Sequence, residues 1–175
     1  MGKGTMPYNL DALTRPLDPE EIEWRIVAVK NGWTTIVPYI EARTVMRRFD
    51  EAFGPLNWQV VYREFSVGNQ KGVLAEIRVR DPETGEWVAK ADGSEPTDNE
   101  PFKGGLSGAL KRAAVPWGIG RELYRFPTVQ IRGEHRFIPR AVEERLAKMV
   151  RALAEGKRVP DLVRLDPEER GRNAA

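Results

Sequence analysis

Trp24-Arg25-Ile26-Val27-Ala28-Val29-Lys30-Asn31-Gly32-Trp33-Thr34-Thr35-Ile36-Val37-Pro38-Tyr39-Ile40 is the stretch from which the fold can be built outward. Asn31-Gly32 suits a type I′ turn, whose two central positions both need positive φ. The flanks, Trp24–Lys30 and Trp33–Ile40, are rich in Trp, Ile, Val and Thr, so they read as the arms of a β-hairpin. Pro38 has no N–H to give to a ladder, which puts it at an edge or at an early exit from pairing.

Downstream, Glu41–Phe53 sets Ala42, Val45, Met46, Phe49, Ala52 and Phe53 on one helical stripe, and Gly54-Pro55 closes the helix. Three strands follow, Trp58–Val67, Lys71–Arg80 and Glu86–Ala91, parted by the turns Gly68-Asn69-Gln70 and Asp81–Gly85. In the second strand Val73, Ala75, Ile77 and Val79 alternate with Glu76, Arg78 and Arg80, the pattern of a half-buried meander. Asp92–Glu100 holds four carboxylates and no base and reads as a loop. A helix over Pro101–Trp117 carries Phe102, Leu106, Ala109, Leu110, Ala113 and Trp117 on its apolar stripe, and a last helix spans Pro139–Gly156. The class is therefore α+β: a β-hairpin, a helix, and a three-stranded antiparallel meander packed on helices. Residues 157–175 mix five bases and four acids and are expected to be loosely held. The expected organisation is a core over 1–127, a helical extension over 128–156 and a flexible tail over 157–175.

Composition narrows the chemistry. The 175 residues include no cysteine and a single histidine, His135. Disulfide scaffolds, thiolate metal sites and thiol nucleophiles are thus excluded, and no metal, cofactor or catalytic residue is expected. No apolar run approaches the roughly 18 residues of a membrane span, and Met1–Asp11 lacks the apolar segment of a signal peptide. A cytoplasmic protein is expected.

The net charge of +2 is small, but it is unevenly distributed. Lys103, Lys111, Arg112, Arg121, Arg125, Arg132, Arg136 and Arg140 stand against only Glu122 and Glu134, a local +6. Lys103, Ser107 and Lys111 recur every four residues, so they share one side of their helix. A row of cations on a rigid helix can track a phosphate backbone. A solvated helix face accounts for the charge equally well.

Two blocks decide between these readings. Tyr39-Ile40-Glu41-Ala42-Arg43-Thr44-Val45-Met46-Arg47-Arg48-Phe49-Asp50-Glu51-Ala52-Phe53-Gly54, followed by Asn57-Trp58, resembles the first motif of the Rad-fifty-two/Rad-twenty-two family of single-strand annealing and recombination-mediator proteins. Phe102-Lys103-Gly104-Gly105-Leu106-Ser107-Gly108-Ala109-Leu110-Lys111-Arg112-Ala113-Ala114, followed by Trp117-Gly118-Ile119-Gly120, is similar to its second. The resemblance covers roughly residues 8–127, and the segment Trp117–Tyr124 looks more like the phage and bacterial branch.

The resemblance implies a homo-oligomeric ring with a positively charged groove. Single-stranded DNA lies in that groove with its backbone inward and its bases exposed for pairing. It further implies that Lys111 and Arg112 match the pair gripping the backbone, that Arg25 matches an arginine of the same groove, and that Tyr39 matches a tyrosine there. Lys71 matches a lysine of a second, outer DNA site, for which duplex DNA is a candidate ligand, and Arg125 is a candidate for the same role. Lys103 joins these as a nucleic-acid-binding residue through its place on the helix. A recombinase and the single-strand-binding protein, which eukaryotic members contact through a long C-terminal region this sequence lacks, stand as candidate partners.

Annealing fits the residues on physical grounds too. Two polyanions must be brought together with their bases accessible, which calls for phosphate contacts without base-edge readout and no bond chemistry. The rival functions are a metal-dependent nuclease using the acids of Asp92–Glu100 and an RNA-binding or chaperone domain. Capping and solvation account for those acids more simply. Trp24, Trp33, Trp58, Trp87 and Trp117 suit core or subunit interface better than base stacking. Arg43, Arg47 and Arg48 are candidates to touch DNA or a neighbouring subunit, and Arg47 also pairs naturally with Glu51. His135, beside Arg136, belongs to a basic surface, and Gly104-Gly105 lacks the lysine and hydroxyl of a phosphate loop.

Overall fold

In a computed structural model that describes residues 8–169, Asn31 and Gly32 turn the chain with φ of 55° and 74°. Both lie in the left-handed region, as a type I′ turn demands. In chain order the elements are α1 (Asp11–Thr14), a 3-10 turn (Pro19–Glu21), β1 (Glu23–Lys30), β2 (Trp33–Tyr39), α2 (Ala42–Phe53), β3 (Trp58–Val67), β4 (Gln70–Arg80) and β5 (Trp87–Ser94). There follow α3 (Pro101–Ala114), 3-10 turns at Val115–Trp117 and Arg121–Arg125, β6 (Thr128–Arg132), α4 (Arg140–Ala154) and β7 (Leu162–Leu165). The α+β class and the antiparallel meander β3-β4-β5 are as expected.

The chain divides into two units, each made of two stretches of sequence. One comprises residues 8–15 and 40–121. Its core joins Val45, Phe49, Ala52 and Phe53 of α2 to Ala75, Ile77 and Val79 of β4 and to Ala109, Leu110 and Ala113 of α3. The alternation read along β4 thus translates directly into burial. Two members of the expected stripes lie elsewhere: Met46 is 41% exposed and Phe102 is 78% exposed. On α2 the buried face is rotated toward Thr44 and Arg48, which leaves Met46 on the outer flank. On α3 it is Gly105 and Gly108 that face Val73 of β4 and Ser94 of β5, and Phe102 lies on the exposed side of the first turn. The α-helical hydrogen bonding stops at Ala114 because Pro116 has no N–H to continue it.

The other unit comprises residues 16–39 and 122–169. It is a four-stranded sheet in the order β1-β2-β6-β7, with β6 and β7 parallel. Parallel neighbours need a crossover, and α4 supplies it. Val142 and Leu146 of α4 pack on Ile36, Val129, Ile131 and Leu165, with Trp24, Ile26 and Met149 around them. Residues 162–165, expected to be part of a loosely held tail, form an ordered strand instead, with Leu165 buried. Neither β6 nor β7 was expected from the sequence. Pro38 pairs with Trp24 on β1, but the β2–β6 ladder ends at Ile36, so the chain has left that ladder before the proline.

Candidate nucleic-acid interface

The hairpin register brings the first two candidates together. Arg25 lies opposite Val37, and Tyr39 is two residues further along the same strand, so the two side chains share one face diagonally. The guanidinium carbon of Arg25 stands 5.9 Å from the Tyr39 ring centroid. Because Trp24 and Ile26 turn into the core, Arg25 between them is directed outward, and it is exposed.

On α3 the glycines have a packing role. A Cβ on Gly108 would stand 2.6 Å from Ser94 Oγ, one on Gly105 would stand 3.2 Å from Val73 Cγ2, and one on Gly104 would overlap the Thr97 side chain. The helix therefore lies hard against β4 and β5, and its cations have a fixed platform. Arg112 is exposed and its guanidinium is 3.6 Å from Asp92. Lys103 is exposed and stands 3.4 Å from Glu100. Lys111 is half-buried, and the approximately 100° between successive helical residues sends it in a different direction from Arg112. Lys71 is exposed near the β3–β4 turn, 3.7 Å from Glu64. Arg125 ends a 3-10 turn and is exposed.

Several side chains have other work. Arg48, a candidate for DNA or a neighbouring subunit, is 1% exposed and donates to the Ala12 and Arg15 carbonyls at 3.2 and 2.8 Å. It ties α2 to the end of α1. His135 Nε2 is 2.7 Å from the Arg132 carbonyl, and its backbone N–H donates to Thr34 Oγ1, so it holds the turn after β6 rather than serving a basic surface. Trp58 packs on Phe49 at a tilt with centroids 5.1 Å apart, Trp117 meets the same ring edge-on at 6.1 Å, and Trp24 lies 6.3 Å from Phe126. These three are packing residues. Of the acids read as a loop, Asp92 sits within β5 and faces Arg112, while Glu100 faces Lys103. Among the described residues no three acidic or histidine side chains gather as a metal-binding group, and no helix is long and apolar enough to cross a membrane.

Residues 9–135 match the family described as Rad52/22 family double-strand break repair protein. The chain belongs to this family. No curated protein matches it. Membership places the function of this Rad52/22 protein in DNA recombination and double-strand break repair. The matched span includes Arg25, Tyr39, Lys71, Lys103, Lys111, Arg112 and Arg125, whereas α4 and β7 lie beyond it.

Proposed function

We propose that this Rad52/22 protein binds single-stranded DNA through its phosphates, without reading bases, and anneals complementary strands as a homo-oligomeric ring rather than acting as an enzyme. The observation that carries this reading is the mounting of exposed cations on α3. The helix is pressed onto β4 and β5 by glycines, so Lys103 and Arg112 project from a base that does not yield. Their acidic partners lie at 3.4 and 3.6 Å in solvent, where such pairs contribute little and a phosphate can displace them. Arg25 beside Tyr39 offers a cation and a ring on one sheet face, suited to a flexible strand with accessible bases. Lys71 contributes to a second, outer site for duplex DNA, and Arg125 is a further contact.

The double substitution Lys111→Ala/Arg112→Ala tests the reading. Each lost phosphate contact should reduce the slope of log K against log salt by about 0.7. The pair is therefore expected to weaken oligonucleotide binding and flatten its salt dependence, with an unchanged circular dichroism spectrum. Annealing of complementary oligonucleotides at the wild-type rate by this variant would sink the assignment. For the ring, light scattering should give a particle of many 19.8 kDa subunits, and a monomer would overturn it.

A further inference from the structure

The face that carries Arg25 and Tyr39 does not stop at the hairpin. Thr34 and Ile36 are buried on β2, Val129 and Ile131 on β6, and Leu165 on β7. By the two-residue alternation of strands, Trp33, Gln130, Arg132 and Arg164 all face away from the α4 side. Register then aligns them across the sheet. Lys30 of β1 pairs with Trp33 of β2, and Trp33 pairs with Arg132 of β6. In the neighbouring row Gln130 pairs with Arg164 of β7. The Arg164 guanidinium lies 4.9 Å from the Trp33 ring centroid, and its Nε donates to Gln130 Oε1 at 3.3 Å.

Four exposed cations, Arg25, Lys30, Arg132 and Arg164, thus stand on one open sheet face around two half-buried aromatic rings. The acids on this side are at its ends: Glu23 opposite Tyr39, and Asp166, which accepts from Arg132 at 3.2 Å. The Asp166 carboxyl is held below the ordinary carboxylate range by the Glu168 backbone N–H first and by Arg132 as well. It stays ionised at neutral pH and pairs with the exposed Arg132.

We propose that single-stranded DNA runs along this entire face, from Arg25 and Tyr39 across to β7, with Trp33 stacking a base and Arg164 and Arg132 holding phosphates. From Trp33 to Tyr39 is about 20 Å of strand at roughly 3.3 Å per residue, enough for several nucleotides. An aromatic ring on an open sheet is a platform for unstacked bases, which a duplex does not offer. The inference rests on the single-strand reading above and extends it to residues contributed by β6 and β7.

The test is fluorescence anisotropy of a labelled oligothymidylate with the full chain. Trp33→Leu keeps an apolar side chain but loses stacking, and is expected to weaken binding about tenfold with an unchanged salt slope. Arg164→Gln, at an exposed position where folding is not at stake, is expected to reduce the slope by about 0.7. If Trp33→Leu fails to fold, Arg164→Gln alone decides. Should both variants bind like the wild type while Lys111→Ala/Arg112→Ala weakens binding, the sheet path is wrong and the single-strand reading stands. Should all three bind like the wild type, both fall.

Discussion

Replacement of Arg48 by methionine is expected to lower the free energy of unfolding by about 3 kcal/mol. The side chain is buried and gives N–H groups to the Ala12 and Arg15 carbonyls. These are end-of-helix acceptors that α1 itself cannot satisfy. Methionine fills much of the space but donates nothing, so each carbonyl loses a partner at about 1–3 kcal/mol per buried polar group. Urea unfolding should show the loss as a lower midpoint with an unchanged m-value. The same substitution at Arg43, whose side chain lies in solvent 3.1 Å from Glu41, should cost less than about 0.5 kcal/mol. A loss below about 1 kcal/mol for Arg48→Met would mean that the two hydrogen bonds do not anchor α1. Under conditions where the variant is folded, the salt slope of DNA binding should match the wild type, because a buried guanidinium reaches no phosphate.

Arg48 also shows where reading the sequence reaches its limit. On a helical wheel it lies at the border of the Val45/Phe49/Ala52 stripe, and charge alone argues for the outer side. What buries it is a pair of carbonyls more than thirty residues upstream, and no local pattern encodes that. The hairpin was legible because Asn31-Gly32 acts through its own backbone, and the meander because Val73, Ala75, Ile77 and Val79 alternate without interruption. Two features keep β6 and β7 out of the local sequence pattern. The strands are five and four residues long, and they pair in parallel across a whole helix, so the interaction that creates them is remote in sequence. Val129 and Ile131 did carry a short alternating signal. Trp33 reads in the sequence as the start of a hairpin arm and as one of five tryptophans, with nothing to single it out as a stacking ring. Its distinction comes from Arg164, on a strand the sequence did not announce.

The largest effect in the other direction of intuition is expected at Gly104 and Gly108. In an ordinary helix interior each Gly→Ala change stabilises by about 1 kcal/mol, since alanine restricts the unfolded chain and has the better propensity. Here Gly104→Ala/Gly108→Ala should instead destabilise by about 2 kcal/mol. At position 108 the new methyl would sit 2.6 Å from Ser94 Oγ and 3.2 Å from Ser94 Cβ. Rotating the hydroxyl relieves the first contact but not the second. At position 104 it would overlap the Thr97 side chain back to its Cβ, which is fixed to the backbone, while the Thr97 hydroxyl donates to the Asn99 carbonyl at 2.7 Å. Relief therefore requires α3 to shift away from the end of β5 and from the loop that carries Thr97, and overpacking of this kind typically costs about 1–3 kcal/mol per site, more than the propensity gained. Adding Ser94→Gly to Gly108→Ala should recover part of the loss, and a double-mutant cycle reads the recovery as a coupling between the two positions. Additive effects, or a net gain in stability, would show that the helix has room to spare. Lys103 and Arg112 ride on the same helix, so a shifted α3 also displaces the cations that the proposed phosphate contacts require.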